Sequence, residues 1–226
     1  MRVVSAAPAT WLGRLIAKLL GTFPIPDTPH LDQDALDYFY ERLKATDLYL
    51  EYGSGGSTVL AKKLGKPFVS VETDILFLQV LQKKLAQIPN PNAALQTLLY
   101  RHIGITGAWG VPIFKKTTKK RMKRWQNYCK APWEFIVAGG HPLPDTVLID
   151  GRFRVACALE SLKHLAKKPD SRLLFDDYSD RKRYHVVTEF AEVEACHGRL
   201  GVLKPKPDMD LERLEQVFND YVSDWR

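Results

Sequence analysis

The chain has 226 residues, 45% of them hydrophobic and 26% charged, which fits one ordinary globular domain and excludes a disordered, collagen-like or coiled-coil protein. Its 33 Lys and Arg against 26 Asp and Glu give a formal charge of +7, which suits an acidic substrate, nucleic acid or a membrane surface. Cys129, Cys157 and Cys196 offer neither a disulfide framework nor a CxxC metal site, and no apolar run approaches the roughly 20 residues of a membrane span. We therefore expect a soluble, cytoplasmic protein.

The first 30 residues predict an amphipathic helix followed by a proline-rich connector. Apolar side chains recur at helical spacing from Leu12 to Phe23, and residues 1–26 contain basic residues but no acid. Three prolines between residues 24 and 29 then favour an extended chain. The pattern is typical of a helix docked on its own domain, and a targeting peptide or a membrane-surface helix stays open as an alternative.

The rest of the chain alternates short apolar strands with amphipathic helices. The predicted strands are residues 48–52, 68–72, 95–103, 147–150 and 172–175. Five strands that alternate with helices predict a parallel sheet covered by helices on both faces. Gly198-Arg199 predicts a two-residue hairpin at the sheet edge, and Leu211 to Val222 a last helix. No linker interrupts residues 1–226, so we predict one domain.

The segment from Glu51 to Thr58, Glu-Tyr-Gly-Ser-Gly-Gly-Ser-Thr, predicts a ligand-binding turn between the first strand and the next helix. Its glycines let the backbone approach a ligand closely, and Ser57 or Thr58 can cap a helix whose N-terminal amides face that ligand. In an open α/β sheet, ligands bind in the crevice beyond the carboxyl ends of the strands. A dinucleotide-binding loop would need a third glycine where Thr58 stands.

Glu72 makes the prediction of the ligand more specific. It ends the second strand 19 residues after Gly53, where a carboxylate accepts hydrogen bonds from two ribose hydroxyls. Enzymes that use NAD and enzymes that use S-adenosylmethionine (SAM) both need such an acid. A carboxylate at Glu51 suits the cationic amino end of SAM and would repel a pyrophosphate, so the sequence favours SAM.

These features together resemble the class I SAM-dependent methyltransferases over about residues 48–205. The resemblance implies a Rossmann-like three-layer α/β/α sandwich with a mostly parallel seven-stranded sheet and a C-terminal antiparallel hairpin. It also implies a cofactor site in which the loop contacts the methionine part of SAM, Glu72 the ribose, and the end of the third strand the adenine. The residues so assigned are Glu51, Gly53, Ser54, Gly55, Gly56, Ser57, Glu72, His102, Ile103 and Asp150.

Acids also follow the fourth and fifth predicted strands, at Asp150 and at Asp176-Asp177. They resemble, more distantly, the catechol O-methyltransferase group, in which acids at these positions hold a divalent metal. That resemblance implies Mg²⁺ ligands at Asp150, Asp176 and Asp177. The alternative is that Asp150 only orients SAM and the acceptor. Asp150 and His102 are the candidate general bases.

The basic charge is concentrated in one part of the chain. Residues 75–133 contain eleven Lys or Arg and no acid, so the remainder of the chain carries a charge of −4. Much of this segment lies in an insertion between strands, residues 104–146, with a basic helical stretch that we expect to break at Pro132. The insertion predicts an acidic or phosphorylated acceptor, with a solvated helix face as the alternative. The candidate acceptor contacts are Trp109, Lys119, Arg121 and Arg152.

The leading hypothesis is therefore a SAM-dependent methyltransferase that acts on an O or N nucleophile of a small, acidic acceptor. Catalysis would rest mainly on positioning. An NAD-type oxidoreductase with the same fold is one alternative. A non-catalytic module that binds nucleic acid through residues 115–133 is the other.

Overall fold

In a computed structural model of the protein, residues 24–89 and 95–226 are described. The amphipathic helix predicted before Pro24 lies outside these residues. The helices are α1 (Gln33–Lys44), α2 (Gly56–Lys63), α3 (Ile75–Ala86), α4 (Lys119–Ala138), α5 (Arg154–Leu165) and α6 (Leu211–Tyr221). The strands are β1 (Tyr49–Tyr52), β2 (Phe68–Glu72), β3 (Gln96–Tyr100), β4 (Thr146–Ile149), β5 (Arg172–Phe175), β6 (Ala191–His197) and β7 (Leu200–Pro205). Short 3₁₀ segments cover Ala108–Gly110 and Lys182–Glu189.

The seven strands form one sheet in the order β3-β2-β1-β4-β5-β7-β6. The first five of these pair in parallel, and β7 runs antiparallel to both β5 and β6. This confirms the predicted Rossmann-like sheet with an antiparallel C-terminal hairpin. The hairpin turn is Gly198-Arg199, as predicted, and Gly198 has a φ of +54°. The strand order reverses between β1 and β4, which is where open α/β sheets bind ligands.

Alternate residues of each central strand face two separate cores. Tyr49 of β1 packs with side chains of α1, α2 and α3, whereas Leu50 packs with side chains of α4, α5 and α6. Both faces of β1, β2 and β4 are buried, as expected for parallel strands covered on both sides. The result is three layers, with the carboxyl ends of the strands at one edge of the sheet.

Two expected boundaries were wrong. Strand β3 ends at Tyr100, so His102 and Ile103 lie in the loop that follows it. Helix α4 also continues through Pro132, where we expected a break. A proline inside a helix removes one hydrogen bond and costs about 3 kcal/mol, but here the neighbouring Trp125 and Trp133 are fully buried against the core. Their burial outweighs the cost, because each large aromatic side chain contributes several kcal/mol.

Side-chain caps begin four of the described helices, α1, α3, α4 and α6, whereas α2 and α5 begin without one. Asp74, two residues after the end of β2, accepts hydrogen bonds from the backbone of Leu76 and Phe77 and caps α3. Thr118 caps α4 in the same way. None of the described helices has both the length and the apolar character needed to cross a lipid bilayer.

Candidate active site

The glycine loop between β1 and α2 contacts the end of β4 through backbone atoms alone. Gly53 has a φ of +94°, and a Cβ at this position would lie 2.9 Å from the backbone of Asp150 and Gly151. Only glycine combines this conformation with so close an approach. Gly55 differs, because no described heavy atom lies within 4 Å of the position that its Cβ would take. The backbone at Gly55 therefore borders open space, and we call this space, at the carboxyl ends of β1 and β4, the cleft.

Glu51 does not reach this cleft. It is fully buried, and its carboxylate accepts hydrogen bonds from the hydroxyls of Tyr49 (2.9 Å), Ser57 (2.5 Å) and Thr58. Burial raises the pKa of Glu51, and the hydroxyl donors oppose that rise. The carboxylate of Glu51 is thus enclosed by protein side chains, and its assignment to the methionine part of SAM stays a prediction. The residue ties β1 to the first turn of α2.

The start of α2 is also covered by the chain's own backbone. A Cβ at Gly56 would lie 2.0 Å from the carbonyl oxygen of Thr28, so the connector before α1 crosses this turn directly. Ser57 is buried and donates to Glu51. Gly56 and Ser57 were assigned to the cofactor site, but their side of the turn faces protein. Gly53, Ser54 and Gly55 are the partly exposed residues of the loop.

Glu72 is held in a fixed orientation at the end of β2. One carboxylate oxygen accepts hydrogen bonds from the backbone N–H groups of Thr73 (2.6 Å) and Asp74 (2.9 Å), and the other from that of Ser54 (3.2 Å). Burial raises its pKa, and these backbone donors oppose the rise. The loop after β3 packs against Thr73 and Glu72: a Cβ at Gly110 would be 2.7 Å from Thr73 Oγ1 and 4.0 Å from Glu72 Oε1.

The loop after β3 gives its two predicted residues different environments. Ile103 is buried, and its carbonyl oxygen accepts a hydrogen bond from the indole nitrogen of Trp125 at 3.1 Å. His102 is exposed, and its Nδ1 lies 3.2 Å from the hydroxyl of Tyr100. No contact between His102 and Asp150 is found in the described part of the chain. The two candidate bases are therefore not brought together.

A guanidinium occupies the position where we expected a metal. Arg154, only 5% exposed, lies 2.7 Å from Asp150, 3.3 Å from Asp176 and 3.1 Å from Asp177. Asp177 also pairs with Arg181 (2.6 Å) and Arg199 (2.8 Å). Within residues 24–89 and 95–226, no group of three or more acids, histidines or cysteines is arranged to hold a metal ion. The structure therefore gives no support to the Mg²⁺ prediction, because Arg154, together with Arg181 and Arg199, already pairs with the three acids.

Burial perturbs the acids of this cluster. It is the main cause of the raised pKa of Asp150, which Arg154 lowers in turn. Burial and the neighbouring Asp150 raise the pKa of Asp176 to about 7. The side chain of Asp150 is 32% exposed, whereas those of Asp176 and Asp177 are nearly covered. Asp150 is therefore the acid of the cluster that a bound molecule can reach.

Backbone strain is concentrated at this edge of the sheet. Phe153, Asp177 and Trp109 are the non-glycine residues with positive φ in the described ranges, at +54°, +58° and +58°. They follow β4, β5 and β3, respectively. Such conformations cost about 1–3 kcal/mol each and persist where the surroundings enforce them, commonly at functional sites. The strain therefore marks the same edge as the glycine loop and the acids.

The four predicted acceptor contacts do not form one group. Arg152 borders the cleft: the Cβ position of Gly110 lies 3.8 Å from Arg152 Cγ, and its Nε is buried without a hydrogen-bond partner among the described residues. Trp109 is 73% exposed, with its ring 6.3 Å from that of His30. Lys119 and Arg121 lie in the first turn of α4 on the surface.

The sequence interpretation missed three residues that shape this site. Arg154 organises the acids, Gly151 lies so close to Tyr128 that a Cβ there would be 2.3 Å from the phenol oxygen, and Gly110 covers Glu72. No local signal marked Arg154, because Asp150 follows a strand and the helix begins only at Arg154, so helical spacing does not explain their pairing. Gly110 carried no signal of its own either.

A known structure matches the chain over almost its whole length. A methyltransferase-like protein from Silicibacter pomeroyi DSS-3 is 30% identical in sequence and matches with a TM-score of 0.70, over 90% of this chain and 100% of the other. No protein-family model and no curated protein sequence matches.

Two further structures are more distant. A protein from Staphylococcus aureus named as a caffeoyl-CoA O-methyltransferase is 12% identical, covers 86% of this chain and 91% of its own, and has a TM-score of 0.47. A protein from Escherichia coli named as the methyltransferase YhhF is 15% identical, covers 82% and 92%, and has a TM-score of 0.46. Neither is similar enough to carry an argument. The match of the Silicibacter protein at 30% identity, together with the sheet order, shows that this chain belongs to the class I SAM-dependent methyltransferase superfamily.

Proposed function

We propose that the protein transfers a methyl group from SAM to an O or N nucleophile on an anionic acceptor. The observation that carries the cofactor assignment is the open space beside Gly55. Its neighbours Gly53 and Gly56 are glycines because other parts of the chain would collide with a Cβ, whereas no described atom approaches a Cβ at Gly55. A bound molecule is the simplest reason to keep that space clear.

The residues present fit SAM. The backbone of Gly53, Ser54 and Gly55 would line the methionine part, and Glu72 would accept hydrogen bonds from the ribose hydroxyls. Glu72 Oε1 already accepts from Thr73 and Asp74, whereas Oε2 accepts only from the backbone of Ser54, so Oε2 is the oxygen with capacity for a ligand. When bound, SAM supplies an electrophilic methyl group on a positively charged sulfur, which is already a good leaving group.

Asp150 is the base in this proposal. Its carboxylate is the most exposed of the three acids around Arg154, and burial raises its pKa, which makes it a stronger base than an ordinary carboxylate. Arg154 holds the carboxylate at 2.7 Å and fixes its orientation. Asp150 would accept the proton of the acceptor's hydroxyl or amine as the new bond to carbon forms.

Arg152 supports an anionic acceptor. Its guanidinium is largely covered, its Nε has no hydrogen-bond partner among the described residues, and burial followed by the neighbouring Arg154 lowers its pKa. A buried N–H group without a partner is costly, and a carboxylate or phosphate on the acceptor would supply the partner that Arg152 Nε lacks. Arg152 would then orient the acceptor, and Asp150 would receive its proton.

The cofactor proposal is tested by calorimetry with SAM and with its demethylated product. We expect both to bind and NAD not to bind. Gly55→Ala should weaken SAM binding at least about tenfold, because its methyl group would enter the space assigned to the ligand. Gly107→Ala, where a Cβ would make only ordinary contacts, should bind SAM normally. Binding of NAD in place of SAM would overturn the proposal, as would SAM binding that Gly55→Ala leaves unchanged.

The anionic acceptor is tested with inorganic phosphate as the probe. Phosphate added to the complex with demethylated SAM should raise the thermal midpoint of the protein. Arg152→Met should abolish that rise, and Arg152→Lys should keep part of it. Lys119→Gln combined with Lys120→Gln should leave it intact, which separates the cleft from the basic surface. A rise that survives Arg152→Met contradicts the assignment.

A further inference from the structure

The loop after β3 is a hydrogen-bonded hairpin that exposes apolar side chains. Gly107 N donates to Val111 O at 2.8 Å and Ile113 N donates to Ile105 O at 2.9 Å, so residues 105–113 form two short arms with Trp109 near the tip. Four large apolar side chains in and next to this hairpin are exposed: Ile105 by 61%, Trp109 by 73%, Ile113 by 46% and Phe114 by 55%. A fixed backbone that exposes such side chains is typical of a binding surface.

A run of cations follows the hairpin immediately. Every residue from Ile113 to Lys120 is exposed, and we call Lys115, Lys116, Lys119, Lys120 and Arg121 the basic turn. No ion pair to these five residues is found among the described residues, whereas Lys44, Lys63 and Lys84 elsewhere pair with acids. Lys115 lies over the ring of Trp225 and Arg121 over that of Phe114. The other three lysines of the basic turn keep their charge available for an anionic partner.

We propose that the hairpin 105–113 and the basic turn dock this protein on the surface of an anionic lipid bilayer. Isoleucine, tryptophan and phenylalanine side chains would enter the region between the headgroups and the acyl chains, and the lysines would contact the anionic headgroups. Each basic residue near such a surface contributes about 1 kcal/mol. The proposal does not depend on the proposed function.

Two other occupants fit the same surface less well. A second copy of the chain in a two-fold dimer would place the basic turn against its own copy, and like charges would repel. Single-stranded nucleic acid would stack its bases on Trp109 and Phe114, but the exposed isoleucines have no aromatic ring on which a base could stack. The aliphatic pair Ile105 and Ile113, at the two arms of the hairpin, therefore favours a lipid surface.

The docking surface also borders the candidate cofactor site. Gly110, next to the tip residue Trp109, packs on Thr73 and lies above Glu72. A shallow concavity of about 440 Å³ is lined by the hairpin and Lys115. Docking would thus bring the bilayer against the element that covers the cleft.

The test is flotation of the full chain with vesicles of phosphatidylcholine, with and without an equal share of phosphatidylglycerol. We expect binding to the anionic vesicles and little to the neutral ones. Ile113→Ser combined with Phe114→Ser should weaken binding about tenfold, and Lys119→Gln combined with Lys120→Gln by about the same factor or more. Thermal midpoints of the variants should match that of the unaltered chain, because all four side chains are exposed.

Matched controls distinguish vesicle binding by this surface from binding by other exposed residues or by the first 23 residues, whose sequence pattern is also amphipathic. Val137→Ser with Leu211→Ser removes two exposed apolar side chains, and Lys83→Gln with Lys167→Gln two exposed lysines, and both should bind like the unaltered chain. Absence of binding to anionic vesicles overturns the proposal. So does equal weakening by the controls, or binding of single-stranded RNA or an acidic protein with the same variant dependence in place of vesicles.

Discussion

The buried acids on the two sides of the cleft have different partners: neutral hydrogen-bond donors on one side and arginines on the other. On the side of β1 and β2, Glu51 is satisfied by three hydroxyls and Glu72 by three backbone N–H groups. On the side of β4 and β5, Arg154 pairs with three aspartates, one of which also pairs with Arg181 and Arg199. Both sets of acids follow or end strands of one sheet, so the sequence pattern alone makes them look equivalent.

These partners have different effects: on one side they fix the orientation of the acids, and on the other they balance charge. Hydrogen bonds from hydroxyls and backbone amides orient Glu51 and Glu72 and fix the loop around them. The arginine side keeps unsatisfied polar atoms, since Arg152 Nε and Asp176 Oδ1 are buried without partners among the described residues. The first side therefore suits a cofactor of constant shape, and the second an acceptor that brings its own charge.

The largest expected effect comes from removing the central guanidinium. Arg154→Met should lower the free energy of unfolding by about 3–5 kcal/mol, because it leaves buried acids without a compensating cation. Urea denaturation measures the loss. Arg152→Met is the matched control: it removes a guanidinium that has no ion pair within residues 24–89 and 95–226, and should change stability by less than about 1 kcal/mol. Equal losses in the two variants would contradict the role given to Arg154.

The same cluster gives a prediction about divalent metal. Because Arg154 already lies among the three aspartates, the thermal midpoint of the unaltered chain should be the same with Mg²⁺ as with a chelator. A midpoint that rises with Mg²⁺ concentration, and does so less in Asp176→Asn, would restore the metal interpretation. Differential scanning fluorimetry is sufficient for this measurement.

On the other side of the cleft, Gly53 and Gly55 should respond differently to the same substitution. Gly53→Ala forces a Cβ to 2.9 Å from the backbone of Asp150 and Gly151 at a φ of +94°, and should cost about 2–3 kcal/mol of unfolding free energy. Gly55→Ala meets no protein atom and should cost less than about 1 kcal/mol. Urea denaturation of both variants tests whether close backbone packing or an open cleft explains each glycine.

The fold was predictable because its signals are local and repeated. Apolar strands followed by amphipathic helices predicted the parallel sheet, and Gly198-Arg199 predicted the antiparallel edge. The helix through Pro132 was not predictable, because burial of Trp125 and Trp133 decides it and burial depends on the tertiary structure. Local helix propensity predicts a break at a proline, and packing of the buried tryptophans overrides it at Pro132.

The surroundings of each candidate site residue were less predictable than the fold. Glu51 and Asp150 both lie at the carboxyl ends of strands, where the sequence rule expects polar residues to face a ligand. Asp150 is partly exposed there, whereas hydroxyls of Tyr49, Ser57 and Thr58 enclose the carboxylate of Glu51. Two of those hydroxyls belong to the next helix, and their distance from Glu51 follows only from the folded turn. Sequence spacing does not supply that distance.

The titration of Asp176 should make the free energy of unfolding depend on pH. Its pKa is about 7 in the folded protein against an ordinary value of 3.8, so the folded state holds more protons between these values. The free energy of unfolding should therefore fall as pH rises from about 4 to about 7, by about 4 kcal/mol, and then level off. Asp176→Asn should remove most of that fall, while Asp170→Asn, at an exposed position, should retain it. Urea denaturation at a series of pH values decides between these outcomes.

The smallest expected effect tests whether Glu51 only stabilises the fold, whereas Glu72 on the same side of the cleft binds the ligand. Glu51→Gln keeps the shape of the side chain but replaces one acceptor with a donor facing hydroxyls, and should cost about 1–2 kcal/mol of unfolding free energy. SAM affinity, measured by calorimetry below the onset of unfolding, should stay within about twofold, because Glu51 is fully buried. The corresponding variant Glu72→Gln should weaken SAM binding about tenfold, because a carboxylate that accepts from two ribose hydroxyls becomes an amide with one acceptor. If Glu51→Gln weakens SAM as much as Glu72→Gln does, the carboxylate of Glu51 acts on the cofactor through the loop, and the two sides of the cleft differ less than their hydrogen bonds suggest.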